Sequence, residues 1–275
     1  TDFQIEFDHY GSTHSEENRV FAEEIWRAFE ARGLVREADV TQLYDPEAGV
    51  FLADRFVKGT CPRCGSADQY GDSCDKCMAT YAAVDLKDAR STLTGAVPEI
   101  RSAPHLFVRI EPEHEWLREF TQAEGRMPRE IANYLLGHFL GEELRDWDVS
   151  RPAPYFGFEI PGHPGQYFYV WFDAPIGYIA ATAQYCQKSG RDFDAYWRKD
   201  GAEIVHVIGK DIVYFHPLFW PPMLHFSGRK TPDHVFVHGF LQLSGEKMSK
   251  SKGTGLSPLR YLELGMNAEW LRYSI

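Results

Sequence analysis

The sequence predicts an α/β fold in which a doubly wound parallel sheet is accompanied by a small metal-binding insertion. Two observations in the second half of the chain indicate the sheet: continuous apolar runs are typical of buried strands, and turns and helical stretches follow them. A third observation, four cysteines within 17 residues, indicates the insertion. With 275 residues, of which 44% are hydrophobic and 25% charged, the chain can bury a sizeable core.

The first 33 residues predict one short strand and one helix. Phe3, Ile5 and Phe7 alternate with polar residues, as in a half-buried strand. Over residues 15–32 the apolar side chains share one helical face, acidic residues occupy the first turn, and Gly33 ends the helix.

Residues 34–102 combine short extended pieces with turn signals and contain the cysteine cluster. The cysteines form two pairs with the spacing C-x2-C-x9-C-x2-C, at Cys61, Cys64, Cys74 and Cys77. Two such pairs complete a tetrahedral thiolate shell around one structural Zn2+. The alternative is two disulfides in a secreted domain, but the lone Cys186 and the absence of a signal-like start favour a reducing cytosol.

The remaining apolar runs supply the other predicted elements. Residues 106–110 alternate as a strand, and helical stretches follow near 113–123 and 128–146. Continuous apolar runs at 167–172, 204–208 and 234–241 predict the strands of the parallel sheet. A helix is expected to follow the first of these runs as far as residue 188, and another to begin after the second.

In a doubly wound sheet the ligand binds beyond the carboxyl ends of the strands. Three segments leave these ends: Asp173 to Tyr178, Gly209 to Asp211, and the residues after Leu243. The last segment is rich in lysine, serine and glycine, which by itself is typical of a solvated mobile loop. At the mouth of a parallel sheet, the same cations and hydroxyls suit phosphate oxygens.

Charge and hydropathy argue against two classes of protein. Lys and Arg total 29 against 40 for Asp and Glu, a net charge of −11, which argues against a surface that wraps nucleic acid but is compatible with a local basic patch. The longest largely apolar run, residues 212–224, is interrupted by a histidine and by prolines and is too short to span a membrane. We therefore expect a soluble protein.

Several segments occur in the order found in one family of enzymes. Residues 247–251 spell KMSKS, and residues 169–178 spell YVWFDAPIGY. Residues 208–216, residues 236–239, the cysteine cluster and the THSEEN stretch at residues 13–18 accompany them. As a set covering nearly the whole chain, they resemble the methionyl-tRNA synthetase family of class I aminoacyl-tRNA synthetases.

The resemblance implies the second half of a Rossmann-like nucleotide-binding fold with a zinc-binding connective insertion. Residues 1–33 would end the first half of the catalytic fold, and residues 34–150 would form the insertion. Residues 151–246 would form the second half, and residues 247–275 the KMSKS loop and the start of a helical stem region.

The resemblance also implies a methionine–tRNA ligase of the cytoplasm. In such an enzyme the carboxylate of methionine attacks the α-phosphate of ATP, which is bound with Mg2+, and pyrophosphate leaves. The terminal ribose of tRNA(Met) then accepts the methionyl group from methionyl-adenylate. Neither step needs a covalent enzyme nucleophile, so catalysis would consist of positioning and charge stabilisation.

Site residues follow from the family at the matching positions. The implied catalytic residues are Lys247, Lys250 and Arg151. The implied ATP-binding residues are Gly209, Lys210, Asp211, His238, Gly239, Met248, Ser249 and Ser251. The implied methionine-binding residues are Trp171, Ala174, Pro175, Tyr178, Ile212 and His216. Simpler alternatives remain open for four of them: a surface arginine at Arg151, a helix N-cap at Asp211, and core residues at Trp171 and His216.

One motif of the family does not occur in this sequence. No H-x-G-H is present, and the helical anticodon-binding domain of the family would follow residue 275. We therefore expect a central piece of a synthetase that forms no methionyl-adenylate alone and would need the HIGH-motif segment in trans. The alternatives are a truncated, synthetase-like, zinc-containing binding module without ligase activity, and a class I synthetase for a branched aliphatic amino acid.

Overall fold

The computed structural model describes residues 2–72, 74, 76–77, 79, 81–198, 200–239, 242–243, 246–247 and 257–274. Its α-helices are α1 (Glu16–Glu30), α2 (His114–Gln122), α3 (Arg129–His138), α4 (Val170–Asp173), α5 (Gly177–Ser189), α6 (Asp194–Trp197), α7 (Trp220–Phe226), α8 (Pro258–Glu263) and α9 (Ala268–Ser274). Its strands are β1 (Val35–Asp45), β2 (Val50–Phe51), β3 (Val57–Thr60), β4 (Gln69–Tyr70), β5 (Lys87–Ser91), β6 (Glu99–Val108), β7 (Trp147–Asp148), β8 (Ser150–Pro152), β9 (Gln166–Phe168), β10 (Val205–Gly209), β11 (His234–His238), β12 (Gln242–Leu243) and β13 (Glu246–Lys247).

The chain forms two compact units. The first unit comprises Thr1–Ala28, Ile110–Arg145 and Asp173–Ile275, and the second comprises Phe29–Arg109 and Asp146–Phe172.

Helix α1 confirms the helix predicted for residues 15–32. Ser15 precedes it, and the Ser15 hydroxyl accepts a hydrogen bond from the backbone N–H of Asn18 at 3.2 Å, the geometry of an N-cap. Two glutamates occupy the first turn, where the helix dipole favours negative charge. The side chains of Ile25 and Trp26 are fully buried, so the apolar face lies in the core as its spacing indicated.

The strand predicted near the start of the chain is wrong. Residues 4–7 form no ladder with any strand that the structure describes, and the side chain of Phe7 is 65% exposed. Alternation over so few residues is weak, because a strand also needs a partner to satisfy its backbone groups.

Strands β10 and β11 form the parallel pair of the first unit. Their register runs from Val205 opposite His234 to Gly209 opposite His238, so their carboxyl ends are level. Ile208 and Val235 are buried, but Val207 and Phe236 are 71% and 54% exposed, so among the described residues one face of the pair is open, contrary to the burial on both faces that the apolar runs indicated. The pair confirms two of the three predicted strands of the parallel sheet, and residues 240–241 of the third run lie outside the described residues.

The chain after β10 passes through three kinds of helical turn. A 3-10 turn at Lys210–Ile212 precedes a π-helix at Phe215–Phe219, which continues directly into α7. Pro217 lies inside the π-helix, where it has no backbone N–H to donate and so favours departure from regular α geometry. The helix predicted after the second apolar run is therefore present, but not as one regular α-helix.

The prediction of a parallel strand at residues 167–172, the first of the three apolar runs, is wrong. The run divides into the short strand β9, which pairs antiparallel with β8, and the helical turn α4. The rings of Phe168 and Phe172 stack with centroids 4.8 Å apart, and both are fully buried. An apolar run without a period cannot distinguish a buried strand from a buried helical turn, which is why the sequence misled here.

The helix predicted for residues 128–146 is shorter than expected. Helix α3 ends at His138, and the backbone N–H groups of Phe139 and Leu140 both bond to the carbonyl of Leu135. Two glycines at positions 137 and 141 weaken helical continuation at this point. The helix predicted for 113–123 is confirmed by α2.

The second unit contains a long antiparallel ribbon, of which the sequence predicted only the end of β6, within the strand at residues 106–110. Strands β1 and β6 pair over ten residues, from Val35 opposite Val108 to Tyr44 opposite Glu99. The order of this sheet is β2-β1-β6-β7. Much of β1 is polar and exposed, so it lacks the apolar alternation that marks a strand in sequence.

The cysteine cluster belongs to a small module between β1 and β6. Strands β4, β3 and β5 form its antiparallel sheet, in that order. Among the described residues, its core contains four buried side chains, Leu43, Leu52, Val57 and Leu86, with partly buried apolar residues packed against them. Such a small core favours additional stabilisation by a metal.

Candidate functional site

The carboxyl ends of β10 and β11 bring together three of the residues predicted to bind nucleotide. Gly209 and His238 are register partners. A Cβ atom placed on Gly209 would lie only 2.5 Å from Oδ1 of Asp211 and 3.7 Å from Cε1 of His238. The Asp211 carboxylate therefore lies over the glycine backbone, and any side chain at position 209 would displace it.

The surroundings of Asp211 bear on its alternative role as a helix N-cap. Asp211 lies inside the 3-10 turn, Gly209 precedes that turn, and no side-chain cap bond forms there within the described part of the chain. The carboxylate is exposed, as is the neighbouring Lys210. Gly239 follows β11, and the space where its Cβ would be is open among the described residues.

Tyr178 and His216, both predicted to bind methionine, form a hydrogen bond. The Tyr178 hydroxyl lies 3.0 Å from Nε2 of His216, and Nδ1 of His216 lies 3.3 Å from the carbonyl of Ile212. Because a carbonyl only accepts, Nδ1 carries the proton, and a neutral His216 then accepts the Tyr178 O–H at Nε2. Burial lowers the pKa of His216 and raises that of Tyr178, so both stay neutral at neutral pH.

His206 extends this aromatic cluster, and the sequence did not predict it as a site residue. The indole N–H of Trp220 donates to Nε2 of His206 at 3.1 Å, and the ring of His206 lies 5.1 Å from that of Tyr178. Burial, with the neighbouring His216, lowers the pKa of His206 to about 4. A histidine in an otherwise apolar strand is the only sequence signal that pointed to it.

The other predicted methionine-binding residues of the first unit lie near the start of α5 and in the turn after β10. Ala174 and Pro175 precede α5, which carries Tyr178, and Pro175 is buried. Ile212 supplies the carbonyl that faces His216. Trp171 lies on α4 in the second unit, where it is partly buried.

Asp173, at the end of α4, has an unusual environment for a carboxylate. Burial raises the pKa of its side chain to about 7, and a hydrogen bond from its own backbone N–H opposes this shift. The side chain of Asn18 on α1 donates to its backbone carbonyl at 3.2 Å. Neither residue was predicted as part of a site.

Arg151 is held within the second unit by three groups. Its guanidinium lies 3.2 Å from a carboxylate oxygen of Asp148, donates to the carbonyl of Ser150 at 2.6 Å and stacks 4.0 Å from the ring centre of Tyr169. The same Asp148 oxygen lies 2.8 Å from Nδ1 of the fully buried His105. The arginine is only 27% exposed, so it is not the free surface residue of the simpler alternative.

The four cysteines converge as their spacing predicted. Their sulfur atoms all lie within 4.8 Å of one another, with Cys61 to Cys77 at 3.9 Å and Cys64 to Cys74 at 3.6 Å. A disulfide needs about 2.05 Å, whereas Zn–S bonds of about 2.3 Å in a tetrahedron place sulfurs about 3.8 Å apart. The cluster therefore fits a zinc ion rather than disulfides.

The backbone around the cluster supports the thiolate form. The N–H groups of Arg63 and Cys64 point at the Cys61 sulfur at 3.4 and 3.5 Å. Hydrogen bonds from the backbone and side chain of Ser66 lower the pKa of Cys64 to about 6. At Cys77 the backbone of Ala79 lowers the pKa, but the neighbouring cysteines raise it to about 12. A divalent cation neutralises the charge of cysteine thiolates that are crowded in this way.

The predicted phosphate-binding loop is only partly described. Met248, Ser249, Lys250 and Ser251 lie outside the described residues, and Lys247 is described only by its backbone in β13. Strands β12 and β13 pair antiparallel, with Gln242 opposite Lys247.

A cavity of about 270 Å3 lies in the first unit, and none of the predicted site residues is part of its lining. It is lined by Ile110, His138, Phe139, Glu142, Glu143, Leu144, Arg145, Tyr214, Leu218 and Phe219. The cavity therefore does not coincide with the methionine-binding residues that the sequence predicts. Among the described residues, no helix combines the length and apolar character needed to cross a membrane.

Comparison with known proteins identifies similar sequences over the whole chain. A family model described as tRNA synthetases class I (M) matches residues 1–275. Methionine–tRNA ligase 1 of Sorangium cellulosum is 64% identical over 98% of this chain, and methionine–tRNA ligase of Rhodopirellula baltica is 57% identical over 95%. The chain spans 39% and 38% of the length of these two relatives.

A solved structure supports the fold. The chain resembles the crystal structure of Mycobacterium tuberculosis methionyl-tRNA synthetase bound by methionyl-adenylate, with a TM-score of 0.69 and 23% identity. The match covers 99% of this chain and 48% of that one. The similarity confirms the predicted α/β fold with its cysteine-bearing insertion, and the family match does not favour a synthetase for a branched aliphatic amino acid.

Proposed function

Because the chain belongs to the class I tRNA synthetase family (M), we propose that the protein containing it is a methionine–tRNA ligase. The protein would form methionyl-adenylate from methionine and ATP and then transfer methionine to tRNA(Met). The observation that carries the proposal is 64% identity to a methionine–tRNA ligase over 98% of this chain.

Methionine would contact the aromatic cluster of the first unit. The Tyr178 hydroxyl donates a hydrogen bond to neutral His216, so the cluster presents no charge to the thioether of methionine. A polarizable sulfur and apolar methylenes suit such aromatic surroundings. The proposed methionine-binding residues are Trp171, Ala174, Pro175, Tyr178, Ile212 and His216. An apolar pocket of this kind discriminates by about 1–3 kcal/mol per methylene.

ATP, with Mg2+, would bind at the carboxyl ends of β10 and β11. The missing side chain of Gly209 leaves room for the Asp211 carboxylate, which is exposed and placed to accept hydrogen bonds from ribose hydroxyls. Lys210, His238 and Gly239 would border the nucleotide. In the KMSKS segment, Met248, Ser249 and Ser251 would shape the loop around the phosphates.

Catalysis would depend on charge stabilisation rather than on a nucleophile. Lys247 and Lys250 would neutralise the charge that develops toward pyrophosphate as the carboxylate of methionine attacks the α-phosphate. Arg151 would add a third cation, with its guanidinium oriented by Asp148 and Tyr169. Each group would act by position and charge, with no covalent enzyme intermediate.

The cysteine cluster would bind one structural Zn2+. With all four positions taken by Cys61, Cys64, Cys74 and Cys77, no coordination position is left for substrate. The metal would supply stability to a module with a small core. Because thiols gathered for a metal require a reducing compartment, we also propose a cytoplasmic location.

Methionine-dependent exchange of pyrophosphate into ATP tests the proposed function. The assay uses the longest polypeptide that the gene encodes, with leucine and isoleucine as competing amino acids. We expect exchange with methionine and its loss in Lys247→Ala. Absence of exchange in the wild type, or a preference for another amino acid, would contradict the proposal.

A pair of glycine variants tests the nucleotide site within the same assay. In Gly209→Ala the added Cβ meets the Asp211 carboxylate, so we expect the KM for ATP to rise while the fold is kept. Gly137→Ala is the matched control, because position 137 has open space around its Cβ among the described residues and lies on α3. An unchanged KM for ATP in Gly209→Ala would remove Asp211 from the nucleotide site.

A further inference from the structure

The first turn of α1 contacts the turn that leads into α5. Asn18 on α1 is fully buried, and its Nδ2 donates to the backbone carbonyl of Asp173 at 3.2 Å. These two residues are 155 positions apart in the sequence. We propose that Asn18 is a positioning residue that fixes the turn from Asp173 to Tyr178 for methionine binding. This inference rests on the proposed function.

Asn18 bonds to the residue that begins the turn. Asp173 immediately precedes Ala174 and Pro175, and Tyr178 follows in the first turn of α5. A hydrogen bond to the Asp173 carbonyl limits rotation of the peptide that joins Asp173 to Ala174. Small displacements of binding groups have large effects on affinity, so one bond at this place bears on several contacts to the ligand.

Three further contacts join α1 and the residues before it to α5. A Cβ atom placed on Gly177 would lie 2.8 Å from Cγ2 of Thr13, so the two segments approach as closely as glycine allows. Gln184 on α5 donates to the carboxylate of Glu17 at 2.7 Å, and its amide oxygen lies 2.8 Å from Nε2 of His9. The THSEEN motif therefore docks against α5 at several points, with Asn18 directed at the turn itself.

The carboxamide oxygen of Asn18 indicates that this side chain is not present for stability alone. Oδ1 is buried and finds no hydrogen-bond partner among the residues that the structure describes. A buried polar atom without a partner costs free energy, and an apolar side chain of similar size would avoid that cost. An asparagine at such a position is typical of a functional site, where a side chain that lowers the stability of the fold is kept because it holds a binding group in place.

Helix capping does not account for Asn18. The N-cap of α1 is Ser15, whose hydroxyl accepts the backbone N–H of Asn18 at 3.2 Å. The Asn18 side chain points to the Asp173 carbonyl and takes no part in that cap. The two residues can therefore be changed separately, which provides a matched control.

The test compares Asn18→Leu with Ser15→Ala in the longest polypeptide that the gene encodes. Asn18→Leu keeps the branching and the number of heavy atoms of the side chain but removes the donor, and we expect the KM for methionine to rise about three- to tenfold, as for one lost hydrogen bond. The KM for ATP should change less than about twofold, because Asp211 and its neighbours keep their contacts. Ser15→Ala should lower the melting temperature without changing either KM.

Backbone hydrogen exchange provides a second readout that does not depend on activity. In Asn18→Leu the amides of Ala174, Ile176, Gly177 and Tyr178 should exchange faster than in the wild type, while those of β10 and β11 stay unchanged. Asn18→Ala, which adds no bulk, replaces Asn18→Leu if the leucine variant does not fold.

The outcomes separate this inference from the proposed function. If the wild type shows methionine-dependent exchange of pyrophosphate into ATP and Asn18→Leu has an unchanged KM for methionine, the inference is overturned. The proposed function is not affected by this result. Equal rises in both KM values also overturn the inference, because they indicate general damage. If the wild type does not exchange pyrophosphate into ATP in the presence of methionine, the proposed function is refuted. If backbone hydrogen exchange at residues 174–178 is also unchanged in Asn18→Leu, the role of Asn18 in fixing this turn is refuted as well.

Discussion

The buried carboxyl of Asp173 should make the stability of the protein depend on pH. Burial raises its pKa from 3.8 to about 7 in the folded chain, whereas an unfolded chain restores the ordinary value. Between these two values the folded state holds a proton that the unfolded state has released. The contribution of Asp173 to the free energy of unfolding is therefore fully present below the pKa of the group in the unfolded chain. It is lost as the pH rises through the pKa of the group in the folded chain.

The structure sets the size of this effect. Each pH unit between the two pKa values costs about 1.4 kcal/mol, and the folded group is nearly fully ionised by pH 8. Between pH 5 and pH 8 the wild type should therefore lose about 2.7 kcal/mol of unfolding free energy through this one group. Asp173→Asn, which has the same shape and no titration, should not show this loss.

Urea denaturation of both proteins at pH 5 and pH 8 measures the difference. The other titrating groups are the same in the two proteins. Their contributions therefore cancel when the change in unfolding free energy between pH 5 and pH 8 in the variant is subtracted from that in the wild type. An Asp173→Asn variant with the same change in unfolding free energy as the wild type would refute the reasoning, because Asp173 would then be ionised already at pH 5. Asp194→Asn, at an exposed aspartate, serves as the control and should follow the wild type.

Two further predictions concern the zinc module and the aromatic cluster. Cys64→Ser should remove the bound zinc, measured as metal per chain by mass spectrometry, while Cys186→Ser should retain one equivalent; a wild type free of zinc would contradict the assignment. His206→Leu leaves the buried indole N–H of Trp220 without its acceptor, so it should destabilise the protein by about 1–3 kcal/mol in urea. In a double-mutant cycle with Trp220→Phe the coupling should be of this size, and zero coupling would show that the bond contributes nothing.

Elements with a strong local pattern were predictable from sequence. Helix α1 has a cap, acidic residues in its first turn and an apolar face, and the cysteine pairs have a spacing that fits one metal. Strands β10 and β11 are continuous apolar runs bounded by turns, so their type was clear. The resemblance of the motifs to one family, rather than any local pattern, led to Tyr178 and His216, which the structure joins by a hydrogen bond.

The parts that were not predictable depend on contacts distant in sequence. The run at residues 167–172 has no period, so packing alone decides that it divides into β9 and α4. Strand β1 is polar because much of it is exposed, and its partner β6 begins more than 50 residues later. The bond from Asn18 to Asp173 spans 155 positions, and no spacing rule within one element reveals such a pair.

The π-helix at Phe215–Phe219 has a consequence for insertions and deletions in this gene. A π-turn contains one residue more than the α-turn it replaces, and each residue of an α-helix rotates the chain by about 100°. Deleting a single codon here would let the segment return to α geometry and would turn His216 away from Tyr178. Variants that lose one residue in this turn should therefore be folded proteins without the Tyr178–His216 hydrogen bond, a rotation of one side chain that point substitutions do not provide.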